Sequence, residues 1–204
     1  MMNKHTDYHT LDIPGASADA PRFFLLHGTG GDEQQFIDLA EELKPGTRRI
    51  GVRGDVSEGG ALRYFKRTGE GQYDMSDLAR ATDKLAEFVG RVNAEASGGE
   101  SLGMGYSNGA NILASVLFAQ PDRFDRAVLM HPLIPFTPPP QPALKGKKVL
   151  ITAGRRDPIA PAQSAEALAA YFKAHDADVQ IFWHDGGHEI RREELLAVQE
   201  FLAG

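Results

Sequence analysis

Short apolar runs alternate along this chain with longer stretches in which apolar residues return every three or four positions. The short runs are YHTLDI (8–13), RFFLLH (22–27), RRIGVR (48–53), SLGMGY (101–106), RAVLMH (126–131), KKVLIT (147–152) and VQIFWH (179–184). Several are apolar throughout, the mark of strands covered on both faces. Between them, positions 76–92 repeat Leu78, Ala81, Leu85, Phe88, Val89 and Val92 at helical spacing, with Ser76 as the expected cap. Positions 161–174 carry the stripe Ala165, Leu168, Ala169 and Phe172, and 189–203 carry Leu195, Val198 and Leu202. The segment 111–119 is apolar all round and ends at Pro121, which predicts a buried central helix. Strand alternating with helix predicts a mostly parallel α/β sheet of about seven strands, helices on both faces, in one domain over 1–204. The segment PFTPPPQP (135–142) reads as a stiff surface connection, and so short a link after RAVLMH leaves no room for a cap domain.

Composition narrows the chemistry. The chain has 204 residues, 42% of them hydrophobic, and a net charge of −6, which argues against nucleic acid as a partner. It has no cysteine, so disulfides, thiolate metal sites and cysteine nucleophiles are excluded. No apolar stretch has the length of a signal peptide core or a membrane span, and a cytoplasmic location is the expectation.

In parallel sheets the chemistry sits in the loops after the strands' carboxyl ends. One of those loops turns on Gly105, Ser107 and Gly109, the pattern G-x-S-x-G between a predicted strand and a predicted helix. So sharp a reversal strains its central residue and crowds the positions two before and two after it, which is why both are glycine. It also lifts a serine hydroxyl over a helix N-terminus. The alternative is that Ser107 only caps the helix.

A serine hydroxyl needs a base to take its proton, and the base needs a carboxylate to orient it. Of seven histidines, His5 and His9 lie near the N-terminus, His175 at a helix end, and His27 before a glycine-rich loop. His131 and His184 end strands, as structural or site-lining residues, whereas His188 stands in HDGGHEI after the last strand. Asp157 follows the KKVLIT strand, in AGRRDPIAP, so the chain order is Ser107, Asp157, His188. Asp185 is the alternative acid. The oxyanion-binding groups are expected to be the backbone N–H of Asn108 and, from the HGTGGD loop, that of Thr29. RYFKR (63–67) and HPLIPF (131–136) flank this centre, with Tyr64, Phe65, Leu133, Ile134 and Phe136 as candidate pocket residues or as loop packing. Arg53 is expected to hold its loop through Asp55 or Glu58. A metal at His184 and His188 lacks clustered ligands, and none is expected.

With LLHGTGGDEQQF, VRGDV, GYSNGANI, HPLIPF, AGRRDPIAP and GGHEI in this order, nearly the whole chain resembles the phospholipase/carboxylesterase group of α/β-hydrolases. GTGGDE, RYFKR and GYSNGANI together resemble its small bacterial carboxylesterases associated with quinone or hydroquinone resistance. The resemblance implies Ser107, Asp157 and His188 as the triad, Thr29 and Asn108 as the oxyanion hole, no cofactor, a small-molecule ester as substrate, and allows a homodimer. It departs in carrying Asn108, where Gln often follows the nucleophile, and in having room for one strand before RFFLLH, where the full fold has two. The resulting expectation is a serine carboxylesterase for short or medium acyl or aryl esters. An acyl thioesterase or lysophospholipase on the same triad, and a non-catalytic binding protein on this scaffold, are the alternatives. A dienelactone-type cysteine mechanism is excluded by the missing cysteine.

Overall fold

The computed structural model describes residues 8–204. Its centre is a seven-stranded sheet of β1 (Thr10–Ile13), β2 (Arg22–Leu26), β3 (Arg48–Val52), β8 (Ser101–Tyr106), β9 (Arg126–Met130), β10 (Lys148–Gly154) and β11 (Asp178–His184). Two short hairpins, β4–β5 (Val56–Glu58, Ala61–Arg63) and β6–β7 (Arg67–Gly69, Gln72–Tyr73), fill the stretch between β3 and the next helix. The helices are α1 (Ile37–Leu43), α2 (Met75–Glu95), α3 (Asn108–Ala119), α4 (Ala162–Ala174) and α5 (Arg192–Ala203). In spatial order the sheet runs β1-β3-β2-β8-β9-β10-β11, with β1 antiparallel and every other neighbour parallel.

The two-residue period of the strands divides the core. Phe24 and Leu26 of β2 face α2, α3 and α4 in one apolar cluster, and Phe23 and Leu25 face α1 and α5 in the other. Helix α3 is buried along its whole length except Ala119, as its all-round apolar sequence requires. No helix or strand interrupts 131–147 apart from a single 3-10 turn at Pro142–Leu144, so no cap domain is inserted there.

Several boundaries move for identifiable reasons. Helix α2 is capped by Asp74 rather than Ser76, because the Asp74 carboxylate accepts from the N–H groups of both Ser76 and Asp77. Helix α3 begins directly after Ser107. Helix α1 lacks a strong sequence signature: it is short, and its N-cap Phe36 provides no side-chain cap. Arg53 pairs with the buried Glu33, not with Asp55 or Glu58. Asp55 is bound by Arg80 and Lys84, and Glu58 by Arg67 and Arg63.

Candidate active site

Strands β2 and β8 are neighbours whose onward connections run in opposite directions along the sheet, β2 to β3 and β8 to β9. Such a switch point opens a crevice beyond the carboxyl ends of the strands. Ser107 stands there, immediately after β8, with φ 52° and ψ −115°, a left-handed conformation that L side chains rarely adopt. Its neighbours make the turn feasible. A Cβ at Gly105 would lie 2.4 Å from the Gly109 backbone, and one at Gly109 would lie 2.2 Å from the Leu26 carbonyl oxygen. The turn is held by the Ser107 N–H donating to Met130 O, and α3 starts with the Asn111 N–H on Ser107 O.

His188 Nε2 lies 2.9 Å from Ser107 Oγ, and His188 Nδ1 lies 2.7 Å from Asp157 Oδ2. Three loops, after β8, β10 and β11, therefore meet at one point. The backbone of the His188 loop is fixed by the Tyr106 hydroxyl, which donates to His188 O at 2.6 Å. Asp157 Oδ1 accepts from the N–H groups of Ile159 and Ala160 at 2.8 and 2.9 Å. Burial opposes ionisation of Asp157. The Ala160 N–H, His188, His131 and the Ile159 N–H outweigh it and hold its carboxyl below the usual range. Asp185, the alternative acid, has a side chain 85% exposed and faces Arg155 at 3.5 Å. A hydroxyl bonded to an imidazole that is itself bonded to a carboxylate can pass its proton to the ring as it attacks a carbonyl.

The Asn108 N–H is in the first turn of α3, where backbone donors have no acceptor within the helix. Thr29 is exposed in the loop after β2, between Gly28 and Gly30. Its hydroxyl accepts from Arg63 Nη1 at 2.9 Å, and Gly30 donates to Leu62 O. The loop entry is braced by His27, whose Nε2 accepts the Gly54 N–H at 2.8 Å.

Tyr64 and Phe65 do not line the cleft. Both are 0% exposed, and the Tyr64 hydroxyl is spent inside the protein, donating to Val52 O and accepting from the His27 N–H. Of the five candidate pocket residues, Leu133 borders the cleft around Ser107. Ile134 packs half-buried against the core. Phe136 borders a separate apolar cavity of about 230 Å³ with Met75, Leu78 and Phe118. The cleft at Ser107 is about 120 Å³ and is bordered also by Arg63, Arg67, Tyr73, Asn111 and Ile159. Within RYFKR the aromatic pair turns to the core and the flanking arginines border the cleft.

His131, His184 and Glu194 bring ligand-type atoms within 4.8 Å of one another, as do His131, Asp157 and His188. Glu194 carries a sequence signal of its own, a carboxylate four residues before Val198 on the apolar face of α5. His5 lies outside the described residues.

The sheet order, with a strained serine turn at the end of the central β8, is that of an α/β-hydrolase, and this chain is an enzyme of the hydrolase class. It belongs to the dienelactone hydrolase family, whose model matches residues 70–193. Membership brings no cysteine chemistry, since the chain has no cysteine. The putative hydrolase MhqD of Bacillus subtilis is 37% identical over 179 residues, covering 87% of this chain and 90% of that protein. Among solved structures, the protein Atu2452 of unknown function from Agrobacterium tumefaciens is 52% identical, with a TM-score of 0.90 over 100% of this chain and 98% of that one. The Bacillus cereus carboxylesterase is 35% identical, with a TM-score of 0.91 over 96% of this chain and 93% of that one. Among the described residues, no helix is long and apolar enough to cross a membrane.

Proposed function

We propose that this protein is a serine carboxylesterase that hydrolyses small esters through an acyl-enzyme. The observation that carries the reading is the unbroken chain Ser107 Oγ–His188 Nε2 (2.9 Å) and His188 Nδ1–Asp157 Oδ2 (2.7 Å), hung on a serine with φ 52°. His188 takes the Ser107 proton as Oγ bonds to the ester carbonyl carbon. The electron pair displaced onto the carbonyl oxygen is received by the backbone N–H groups of Thr29 and Asn108. The carbonyl re-forms, the C–O bond to the alcohol breaks, and His188 returns the proton to the departing oxygen. Water, deprotonated by the same ring, then attacks the acyl carbon, and Ser107 leaves with the proton. Asp157 keeps the Nδ1 proton in place and balances the imidazolium.

The size of the cleft, about 120 Å³, favours short acyl or small aryl esters over long chains. Leu133 and Ile159 offer apolar contact, and Arg63, Arg67, Tyr73 and Asn111 polar contact. The family match and the carboxylesterase relative support ester hydrolysis. A panel of esters of graded acyl length and matched thioesters, run on the wild type and Ser107→Ala, tests the proposal. Hydrolysis of short esters, lost in Ser107→Ala, and labelling of Ser107 by a fluorophosphonate are expected. Preference for thioesters would move the assignment to a thioesterase. Binding without turnover would sink the catalytic reading.

A further inference from the structure

Behind the Ser107–His188–Asp157 chain lies a buried row of ionisable groups that the proposed reaction does not use. His131 leaves β9 with φ 52°, a left-handed conformation held in a residue only 1% exposed. Its Nδ1 lies 3.0 Å from Asp157 Oδ2, the same oxygen that His188 Nδ1 approaches. Its Nε2 lies 3.2 Å from Oε2 of Glu194, a residue 0% exposed whose other oxygen accepts the Arg191 N–H at 2.6 Å. His184 Nε2 completes the group, 3.3 Å from His131 Nε2 and 3.8 Å from Glu194 Oε2.

The spacing of these three atoms is that of metal ligands, but the tautomer of His184 is wrong for a metal. The backbone N–H of Gly186 donates to His184 Nδ1 at 3.0 Å. An amide N–H only donates, so Nδ1 supplies the lone pair and the proton sits on Nε2, the atom that faces the cluster. That nitrogen has no lone pair for a cation.

The proton count of His131 follows from its two neighbours. Each ring nitrogen faces a carboxylate oxygen, so a neutral ring would set a lone pair against one of them. A doubly protonated ring satisfies both, and His184 Nε2 then stands 3.8 Å from Glu194 Oε2, an electrostatic contact rather than a hydrogen bond. We propose that His131 is a positioning residue: a buried imidazolium, clamped between Asp157 and Glu194, that fixes the Asp157 oxygen shared with His188. The inference rests on the catalytic reading of Ser107, His188 and Asp157. Burial pushes the His131 ring toward neutrality, and Glu194 and Asp157 together overcome it and raise its proton affinity above the ordinary histidine value. The titratable groups that face it are Asp157, Glu194, His184, His188 and Tyr106, whose ring lies edge-on at 5.8 Å.

The consequence is electrostatic. A carboxylate that serves two imidazoles presents a weaker negative field to each. Asp157, His131 and Glu194 together carry one net negative charge at rest, which the imidazolium formed on His188 neutralises.

The test is the pH profile of kcat/KM, whose acid limb reports the free enzyme's base. His131→Gln removes the positive charge, so the limb is expected to move up by about one pH unit or more. An unmoved limb, with activity lowered evenly at all pH, would leave His131 a structural residue and overturn the proposal. Nitrogen-15 NMR of the wild-type imidazoles gives a second readout that does not depend on the variant folding. Both His131 nitrogens are expected to be protonated at neutral pH, and one of them to lose its proton in Glu194→Gln. A neutral His131 in the wild type overturns the inference. Ser107→Ala, assayed in the same series, separates the two levels: retained hydrolysis removes the serine reading and this one with it, whereas an inactive Ser107→Ala beside an unmoved acid limb removes this one alone.

Discussion

The side-chain oxygen of Asn108 accepts the backbone N–H of Tyr64 at 2.8 Å, tying the residue after the serine turn to the segment between the two hairpins. Both residues are buried, so the amide of Tyr64 has no water to turn to. Asn108→Ala is expected to lower stability by about 1–3 kcal/mol, the cost of stranding that donor. The backbone N–H of position 108 survives the change, so kcat should fall far less than it does for Ser107→Ala. Urea unfolding and steady-state kinetics on the same preparation check the split.

Asp157 accepts four hydrogen bonds, two from backbone amides and two from imidazoles. Asp157→Asn would lose the acceptor that holds the His188 tautomer, and turnover is expected to fall on the order of 10⁴-fold. Single-turnover hydrolysis of an activated ester measures this.

The same carboxyl sets a pH dependence of stability. Its affinity for the proton is lower in the folded protein than in the unfolded chain. Its contribution is thus complete above the unfolded carboxylate pKa, about 4, and is lost as pH falls through the lower folded value. His131 has the opposite sign: its raised affinity stabilises the fold below the unfolded histidine value, about 6.5, and that contribution fades as pH rises through the folded one. Urea midpoints for Asp157→Asn and the wild type should converge as the solution is acidified below pH 4, and a constant gap would contradict the assignment.

Gly109 has the least room of the elbow glycines, with the Leu26 carbonyl oxygen 2.2 Å from where a Cβ would stand. That obstacle is backbone of a central strand and cannot swing aside. Gly109→Ala is expected to cost more than about 3 kcal/mol, or to prevent folding, which circular dichroism and soluble yield would show.

Thr29 supplies two separable things, a backbone N–H for the proposed oxyanion hole and a hydroxyl for Arg63 Nη1 at 2.9 Å. Thr29→Ala keeps the first and deletes the second. A drop in kcat/KM of roughly tenfold, from a loosened loop with the donor still present, is expected. A drop as large as that of Ser107→Ala would mean that the side chain takes part in the chemistry.

The physical reasons why some features were legible in the chain, and others not, are local against long-range. Alternating periods of apolar residues marked the seven main strands, and α2, α3, α4 and α5, because burial is a repeating demand that one element's sequence must meet by itself. The serine turn was legible for the same reason. Gly105 answers a steric conflict with the Gly109 backbone four residues on, where β8 turns into α3, and Asp157 and His188 each follow a strand. Helix α1 and the hairpins over 56–73 were not legible. Each is too short for a period to show, and each is ordered by contacts with the rest of the molecule. Direction was equally hidden in RYFKR, where Tyr64 and Phe65 go inward because the Val52 carbonyl and the His27 and Tyr73 rings wait there. The row Asp157–His131–Glu194–His184 is the clearest case. Its members come from four separate stretches of the chain, and only the packing of α5 under the carboxyl ends of β9, β10 and β11 decides that they meet.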